Sequence, residues 1–549
     1  MKPLPVRKAA ILLSLLGSVA GCAPTVSGGP VAAGPAIQSF TVSTVPFDQN
    51  LDLRTGTYTP SGSVLVSYID RGVEDRRMVK LATMNDDGSN FREFFSGRIP
   101  EREKDNGIRY MVFPDNKRIF LGDFVLECAT VLEQCSNPIL VPVRYPAEVA
   151  EGDHVSHRWS EMIVAPDNRH IAWTTLLSNY SAVVLTGDLQ KAGSTYVIAK
   201  PQIISTLDPF RPDLAHADGV LPMPILGGEV KQFVQGGTAL SVVGATRRDI
   251  PDSVVQSLLA PQREAITDTP GYTETTIFSP DERLGITMTT RFSEQTDPAI
   301  LGLVPRPYPD SLNMGLSMLA YTYSVTGVRR ARPGNIGPAL IDIQASKTQD
   351  NYQGYNLSTD KNWVYRSPMS WHPGGRKAMW QEGRRTGGTE RIQIVTLPDY
   401  RPGPPVAAKP TPDRIRYGSR DLSVIKDYAE AARDINVKVY GKHSGHITYR
   451  RTPKGVIEKA YFEFSDDGRS VYAGTEKLEA NPTGRSTYTA KLQLSGPQSG
   501  QMDLKMTFGP LTGDLPAQLI FTPDAAGVPL TRGFAEFNGR RLEASSLAP

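Results

Sequence analysis

The residues best suited to chemistry fall in short clusters. "EGDHVSHRWSE", residues 151–161, sets Asp153, His154, His157 and Glu161 close together, and "DLAHADG", residues 213–219, adds Asp213, His216 and Asp218. Histidine beside carboxylate can ligate a metal or move a proton. Neither cluster has an H-E-x-x-H or comparable ligand spacing, so no metal centre and no cofactor is expected. His443 and His446 in "GKHSGHI" flank a glycine turn and read as surface residues. No G-x-S-x-G offers a nucleophile elbow, and no glycine-rich loop cradles phosphate between a strand and a helix. Cys128 and Cys135 in "LECATVLEQCS" lack C-x-x-C spacing and are expected to close a short loop as a disulfide, worth about 2 to 3 kcal/mol on the chain-entropy estimate.

A more spread-out set carries the functional reading: Arg109 with Asp105 and Asn106; His154, His157 and Arg158; Glu274 with Tyr272; Trp363 and Arg366 with Asn362. Each group stands just ahead of a copy of one phrase. "MVFPDNKRIFLG" at 111–122 returns as "IVAPDNRHIAWT" at 163–174, "IFSPDERLGITM" at 277–288 and "SWHPGGRKAMWQ" at 370–381. Apolar residues run into a proline that fixes φ. Aspartate then bonds the backbone two residues on, and Asn or Gly accepts the left-handed conformation that closes a turn between two strands. The turn prolines at 114, 166, 280 and 373 leave gaps of 52, 114 and 93 residues, two of them about twice a fifty-residue unit. A degenerate copy is therefore expected inside each long gap. "FVQGGTALSVVG" at 233–244 fits the first, and the second shows an outer-strand remnant in "YTYSVTGVRRARP" at 321–333.

Multi-strand units repeating at this period are the signature of β-propeller blades. Over residues 57–400 the chain resembles the TolB-like propellers, whose blades carry an F-S-P-D-G-x-x-I-A-F phrase, and six blades are favoured over five or seven. The resemblance implies that the spread-out polar set rings the mouth of a central channel. There it either bonds neighbouring blades and channel water or binds a polar ligand such as a glycan or a peptide terminus through guanidinium forks and aromatic faces. A polysaccharide lyase or glycoside hydrolase using His157, Arg109 and Glu274 is the alternative. Fold alone does not decide between them. No pair of catalytic carboxylates is recognisable, so the balance leans away from an enzyme.

"DIPDSVVQSLLAPQREAI", residues 249–266, reads as a short inserted helix with Val254, Val255, Leu258 and Leu259 on one side. "YRPGPPVAAKPTPD" at 400–413 is proline-rich and marks a linker over 401–413, giving a propeller at 38–400 and a β-rich domain at 414–549. In that domain "DLSVIKDYAEAARDI" at 421–435 places Leu422, Ile425, Ala429, Ala432 and Ile435 on one helical face. Strict alternation in "QMDLKMTFG" at 501–509 then points Met502, Leu504, Met506 and Phe508 to one side of a strand. A helix followed by a small antiparallel barrel or sandwich is expected. "FEFSDDGRSVYAG" at 462–474 resembles the blade phrase but reads better as an unrelated hairpin of this domain.

Residues 1–21 form an export signal, with Lys2, Arg7 and Lys8 ahead of an apolar run from Ala9 to Gly17 that is too short for a permanent span. Its end, Val19-Ala20-Gly21-Cys22, resembles the bacterial lipoprotein cleavage box. The resemblance implies that Cys22 becomes the lipidated N-terminus, carrying several acyl chains, palmitate among them, with residues 22–37 a flexible tether. Ala23, in place of an inner-membrane retention aspartate, favours the outer membrane. Removing residues 1–21 takes three basic and no acidic residues from a formal charge of +3, leaving zero. A neutral exported chain without a basic stripe argues against nucleic acid. The expectation is a lipid-anchored envelope protein with a protein or glycan partner and no membrane contact beyond its lipid.

Overall fold

The computed structural model describes residues 37–549 except 76, 100–109, 151, 153–154, 159–161, 180, 294–296, 313, 330–335, 351, 431–433 and 512–516. Cys22 and the rest of the signal and tether up to residue 36 lie outside the described residues, as do Arg109 and His154.

The phrase that recurs in the sequence is a turn between the first two strands of a sheet. In it the backbone N–H of the closing residue donates to the carbonyl three residues back: Asn116 to Phe113 and Asn168 to Ala165 (both 3.0 Å), Glu282 to Ser279 (2.8 Å), Gly375 to His372 (2.9 Å). All four closing residues have positive φ, from 54° at Glu282 to 68° at Gly375, which explains the Asn and Gly at three of them. Two further turns complete the set. Gly237 donates to Val234 (3.0 Å) in the degenerate copy expected near 233–244, and Gly62 donates to Thr59 (2.9 Å) in "YTPSGSVL". The latter is a copy the sequence pattern hides, because serine stands where aspartate is expected.

Six four-stranded antiparallel units follow from six turns. Blade one is Leu51–Tyr58, Val64–Asp70, Met78–Met84 and Arg92–Arg98; blade two is Tyr110–Val112, Arg118–Leu121, Phe124–Glu127 and Ile139–Arg144. Blade three opens with Val155–Arg158 and Ile163–Val164, then His170–Leu177, Ala182–Ala192 and Thr195–Ile203. Blade four is Glu229–Val234, Ala239–Ala245, Pro251–Ser257 and Arg263–Ala265; blade five is Thr273–Phe278, Leu284–Thr289, Gly337–Asp342 and Tyr355–Asn356. Blade six takes Trp363–Trp371, Lys377–Arg384 and Glu390–Thr396 from the end of the ring and Thr41–Thr44 from its beginning. That last pairing, Thr41 opposite Thr396, closes the ring non-covalently. Blades two and three also share an edge, since Ile139–Arg144 pairs in parallel with Thr195–Ile203.

Two expectations are corrected here. Residues 249–266 are not a helix: Pro251–Ser257 and Arg263–Ala265 are the outer strands of blade four. Six of the seven residues of Pro251–Ser257 are buried, so Val254 and Val255 pack on opposite faces rather than on one helical side. Nor does the 93-residue gap hold a blade remnant. Between the second and third strands of blade five the chain forms the helical turns Ala299–Gly302, Pro309–Leu312 and Met314–Thr322, continued as a wide π-type turn through Val328.

That insertion serves the C-terminal part. Residues 435–543 form one eight-stranded antiparallel sheet in sequence order, from Ile435–Tyr440 to Arg540–Glu543, and the hairpin at 462–474 belongs to it. Alternate residues point inward, Met502, Leu504, Met506 and Phe508 among them, and they share a core with Leu316, Leu319, Ala320 and Tyr323 of the insertion. Tyr323 meets Phe508 edge-on at 5.9 Å, and a Cβ on Gly315 would lie 3.0 Å from the Leu478 side chain, so the helix packs closely on the sheet there. The sheet is nearly closed, as expected of a small antiparallel barrel, and its inner face packs its own side chains together with this propeller segment.

The proline-rich segment 400–413 is a strap. Gly403 N–H donates to Asp281 (2.9 Å), Val406 N–H to the Pro280 carbonyl (2.8 Å) and Lys409 N–H to the Gly236 carbonyl (2.8 Å), so the strap runs along the turns of blades five and four. It ends at blade three, where Asp413 accepts from Arg169 (2.7 Å) and faces His170 Nε2 (3.0 Å). A helix over Val424–Glu430 then covers blade three, burying Leu422, Ile425 and Ala429; the expected helical face ends early, because Ile435 already begins a strand.

Cys128 and Cys135 are joined in a disulfide. The loop it closes is pinned to blade one, where Glu133 accepts from Thr59 (2.8 Å) and Ser61 (2.5 Å) and Arg92 donates to the carbonyls of Glu133 (3.0 Å) and Cys135 (2.5 Å), and to the turn of its own blade, where Glu133 accepts from Asn116 (2.8 Å).

Candidate functional site: the propeller channel

The first strands of all six blades line one cavity of about 350 Å³, through Thr57, Val112, Val164, Gln232, Ile277 and Ser370. First strands are therefore innermost, and the cavity lies at the end of the channel where those strands run into the proline turns; Pro60, Pro114, Pro280 and Pro373 form its rim. Its walls combine aromatic rings (Tyr58, Phe278, Tyr365, Trp371) with hydroxyls. Polar groups of the wall stitch neighbouring blades. Ser370 accepts from Tyr58 N–H (2.9 Å), Trp371 Nε1 donates to the Ile277 carbonyl (2.8 Å), and Gln232 accepts from Phe278 N–H (2.8 Å). The volume falls in the range of small-ligand pockets.

At its inner end the cavity meets a quartet of charges. Lys231 reaches Glu229 at 2.8 Å and Glu274 at 3.3 Å, and Arg329, at the end of the blade-five insertion, reaches Glu274 at 3.6 Å. Tyr272 donates to the same Glu274 (3.0 Å); burial first, and then the Glu274 charge, hold its phenol well above the ordinary range, so it stays a donor. Two acids and two bases thus balance in a largely dry place.

The expected mouth residues divide. Glu274 is in the channel, but buried and engaged as above. Trp363 lies under the guanidinium of Arg391, 3.9 Å from the ring centre, and Arg391 is in turn paired with the buried Glu382 at 2.6 Å. Arg366 faces Glu390 at 3.8 Å; burial raises the Glu390 carboxyl above its usual value, while Arg366 works in the opposite direction. His157 and Arg158 occupy the first strand of blade three opposite Leu176 and Thr175, the position expected of channel-lining residues. The sequence reading missed Lys231, Glu229 and Arg329. Lys231 and Glu229 precede a turn without proline or aspartate, and Arg329 comes from a segment whose sequence pattern fits a strand.

No protein-family model matches the chain, and no curated relative does. Among solved structures, a putative TolB from Agrobacterium tumefaciens is 10% identical over 56% of this chain and 80% of that one, with a TM-score of 0.30. An oligogalacturonate lyase in complex with manganese is 9% identical over 67% of this chain and 99% of that one, TM-score 0.34. A protein of unknown function from Dyadobacter fermentans is 10% identical over 66% and 100%, TM-score 0.36. Likenesses of this size say nothing about activity. The strand order itself defines the class: a six-bladed β-propeller with TolB-like blade turns, followed by an eight-stranded antiparallel sheet.

Proposed function

We propose that this is a lipid-anchored envelope protein whose propeller captures a protein segment or a glycan in its channel. The observation that carries the reading is the cavity shared by all six inner strands, walled by rings and hydroxyls, whose neighbouring charges are already matched in pairs. Such a wall suits binding. A carboxylate acting as acid or base needs freedom to exchange a proton with substrate, and Glu274 is committed to Lys231, Arg329 and Tyr272. Lipid on Cys22 and an extended tether over residues 23–36 would let the propeller sit up to about 50 Å from the membrane that holds it.

Two measurements test this. Alkyne fatty-acid labelling should mark the wild type and not Cys22→Ser; equal labelling removes the anchor. Thr57→Trp fills the cavity from blade one, and in whole-cell crosslinking and envelope-polysaccharide pull-down it should reduce capture at least about tenfold with melting unchanged. An identical capture profile would place the binding elsewhere, and release of glycan fragments by the purified protein would make it an enzyme.

A further inference from the structure

Away from the channel, the chain between blades three and four makes a hairpin, Phe210–Pro212 with Val220–Pro222, that reaches the C-terminal sheet. Gly219 bridges Lys438 in parallel, Asp218 accepts from Lys438 (2.7 Å) and Tyr440 (2.9 Å), and Phe210 packs on Tyr449. The tip is tied tightly: Asp213 accepts from Ala215 N–H (2.9 Å) and faces His216 (2.8 Å), while Asp213 N–H donates to the Gly219 carbonyl (3.0 Å). All this order holds Leu214 out with 99% of its surface exposed.

Beside it a ladder of rings crosses the outer face of the sheet. His216 stacks on Tyr440 with centroids 3.9 Å apart, Tyr440 lies 5.8 Å from His446, and His446 stacks on Phe462 at 4.7 Å. Phe462 is 51% exposed. A rigid turn presenting a bare leucine next to exposed rings is what a partner's apolar pocket buries, with the leucine as anchor. Because the ladder rings stack on one another, few ring faces are left for a sugar. Charge selects further: residues 205–222 contain Asp208, Asp213 and Asp218 against Arg211, so even with Lys438, which pairs with Asp218, the formal balance of the hairpin is acidic. An acidic rim of this kind is repelled by anionic lipid and matched by a basic one.

We infer that this hairpin and ring ladder form a second docking surface, separate from the channel, for a protein that offers an apolar pocket with a basic rim to Leu214. The test places a photoreactive side chain at position 214 of the full-length chain in cells. A single discrete adduct is expected, and the identified partner, purified, should bind the wild type in a salt-sensitive manner. Leu214→Asp should weaken that binding at least about tenfold and Phe462→Ser less, both with unchanged melting. Absence of an adduct, an adduct with a second copy of this chain, equal affinity for Leu214→Asp, or Leu214-dependent binding to phosphatidylglycerol vesicles or envelope polysaccharide would each overturn the inference. The channel reading is independent of it, since Thr57→Trp leaves this surface untouched.

Discussion

Two quartets of charge sit at opposite ends of the blade-five insertion, and the same principle serves two purposes in them. At the start, Arg306 lies between Asp249 (3.0 Å) and Glu476 (3.1 Å), and Glu476 also pairs with Lys459 at 2.9 Å. At the end, Arg329 and Lys231 share Glu274 at the floor of the channel. Each group balances two acids with two bases. The first, however, has side chains no more than 2% exposed and is closed by hydrogen bonds from Tyr461 (3.0 Å) and Tyr488 (2.9 Å) to Glu476. The second borders a cavity, with its longest pair at 3.6 Å. Fully enclosed charges act as a lock between the propeller and the C-terminal sheet, because separating them strands uncompensated charge. Charges at the edge of a cavity can be rearranged by whatever enters it.

The largest effect should come from the lock. Glu476→Gln keeps the shape but leaves Lys459 and Arg306 facing Asp249 alone, and should cost about 3 to 5 kcal/mol by denaturant unfolding. A loss under 1 kcal/mol would mean that the two quartets do not differ. Acid sharpens the contrast. Burial alone would raise the Glu476 carboxyl, but Lys459 and Arg306 outweigh it and hold it down at about 2. A depressed carboxylate contributes stability that is complete above its unfolded value, about 4.3, and is lost as pH falls from there toward 2. The wild type should therefore lose stability more steeply than Glu476→Gln across that window, and parallel curves would show that the lock does not titrate.

The channel should respond less. Lys231→Met removes the shared cation and should cost about 1 to 3 kcal/mol, with changed capture of the channel ligand in the same crosslinking assay. Smallest is Arg329→Met, which loosens one long pair and should cost about 1 kcal/mol or less. A cost equal to that of Glu476→Gln would make the channel quartet a second lock rather than a responsive floor.

Much of this was legible locally. Pro-Asp opens a turn by its own chemistry, followed by Asn in two copies and Glu in the third, so three of the six turns and the ring they imply can be read from Pro114, Pro166 and Pro280. His372-Pro373-Gly374-Gly375 adds a fourth, because glycine takes the positive φ without strain. The alternation from Met502 to Phe508 likewise set one face of a strand before any partner was known. The reading failed where pattern is ambiguous. Val254 and Val255 fit a helical side as well as a strand buried on both faces, and Thr322 to Arg329 looks like a strand until its neighbours are counted.

The sequence by itself determined the elements whose causes lie within a few residues: turns, alternating strands and the closely spaced cysteine pair. Only the tertiary structure decided what depends on distant partners. Asp249, Arg306 and Glu476 meet across 57 and 170 positions of sequence, the strap finds the turns it follows, and Thr41–Thr44 closes a ring that ends at Thr396. The physical reason is that a buried charge or an unpaired strand edge signals only that a partner is needed. Its identity is fixed by packing the whole chain at once.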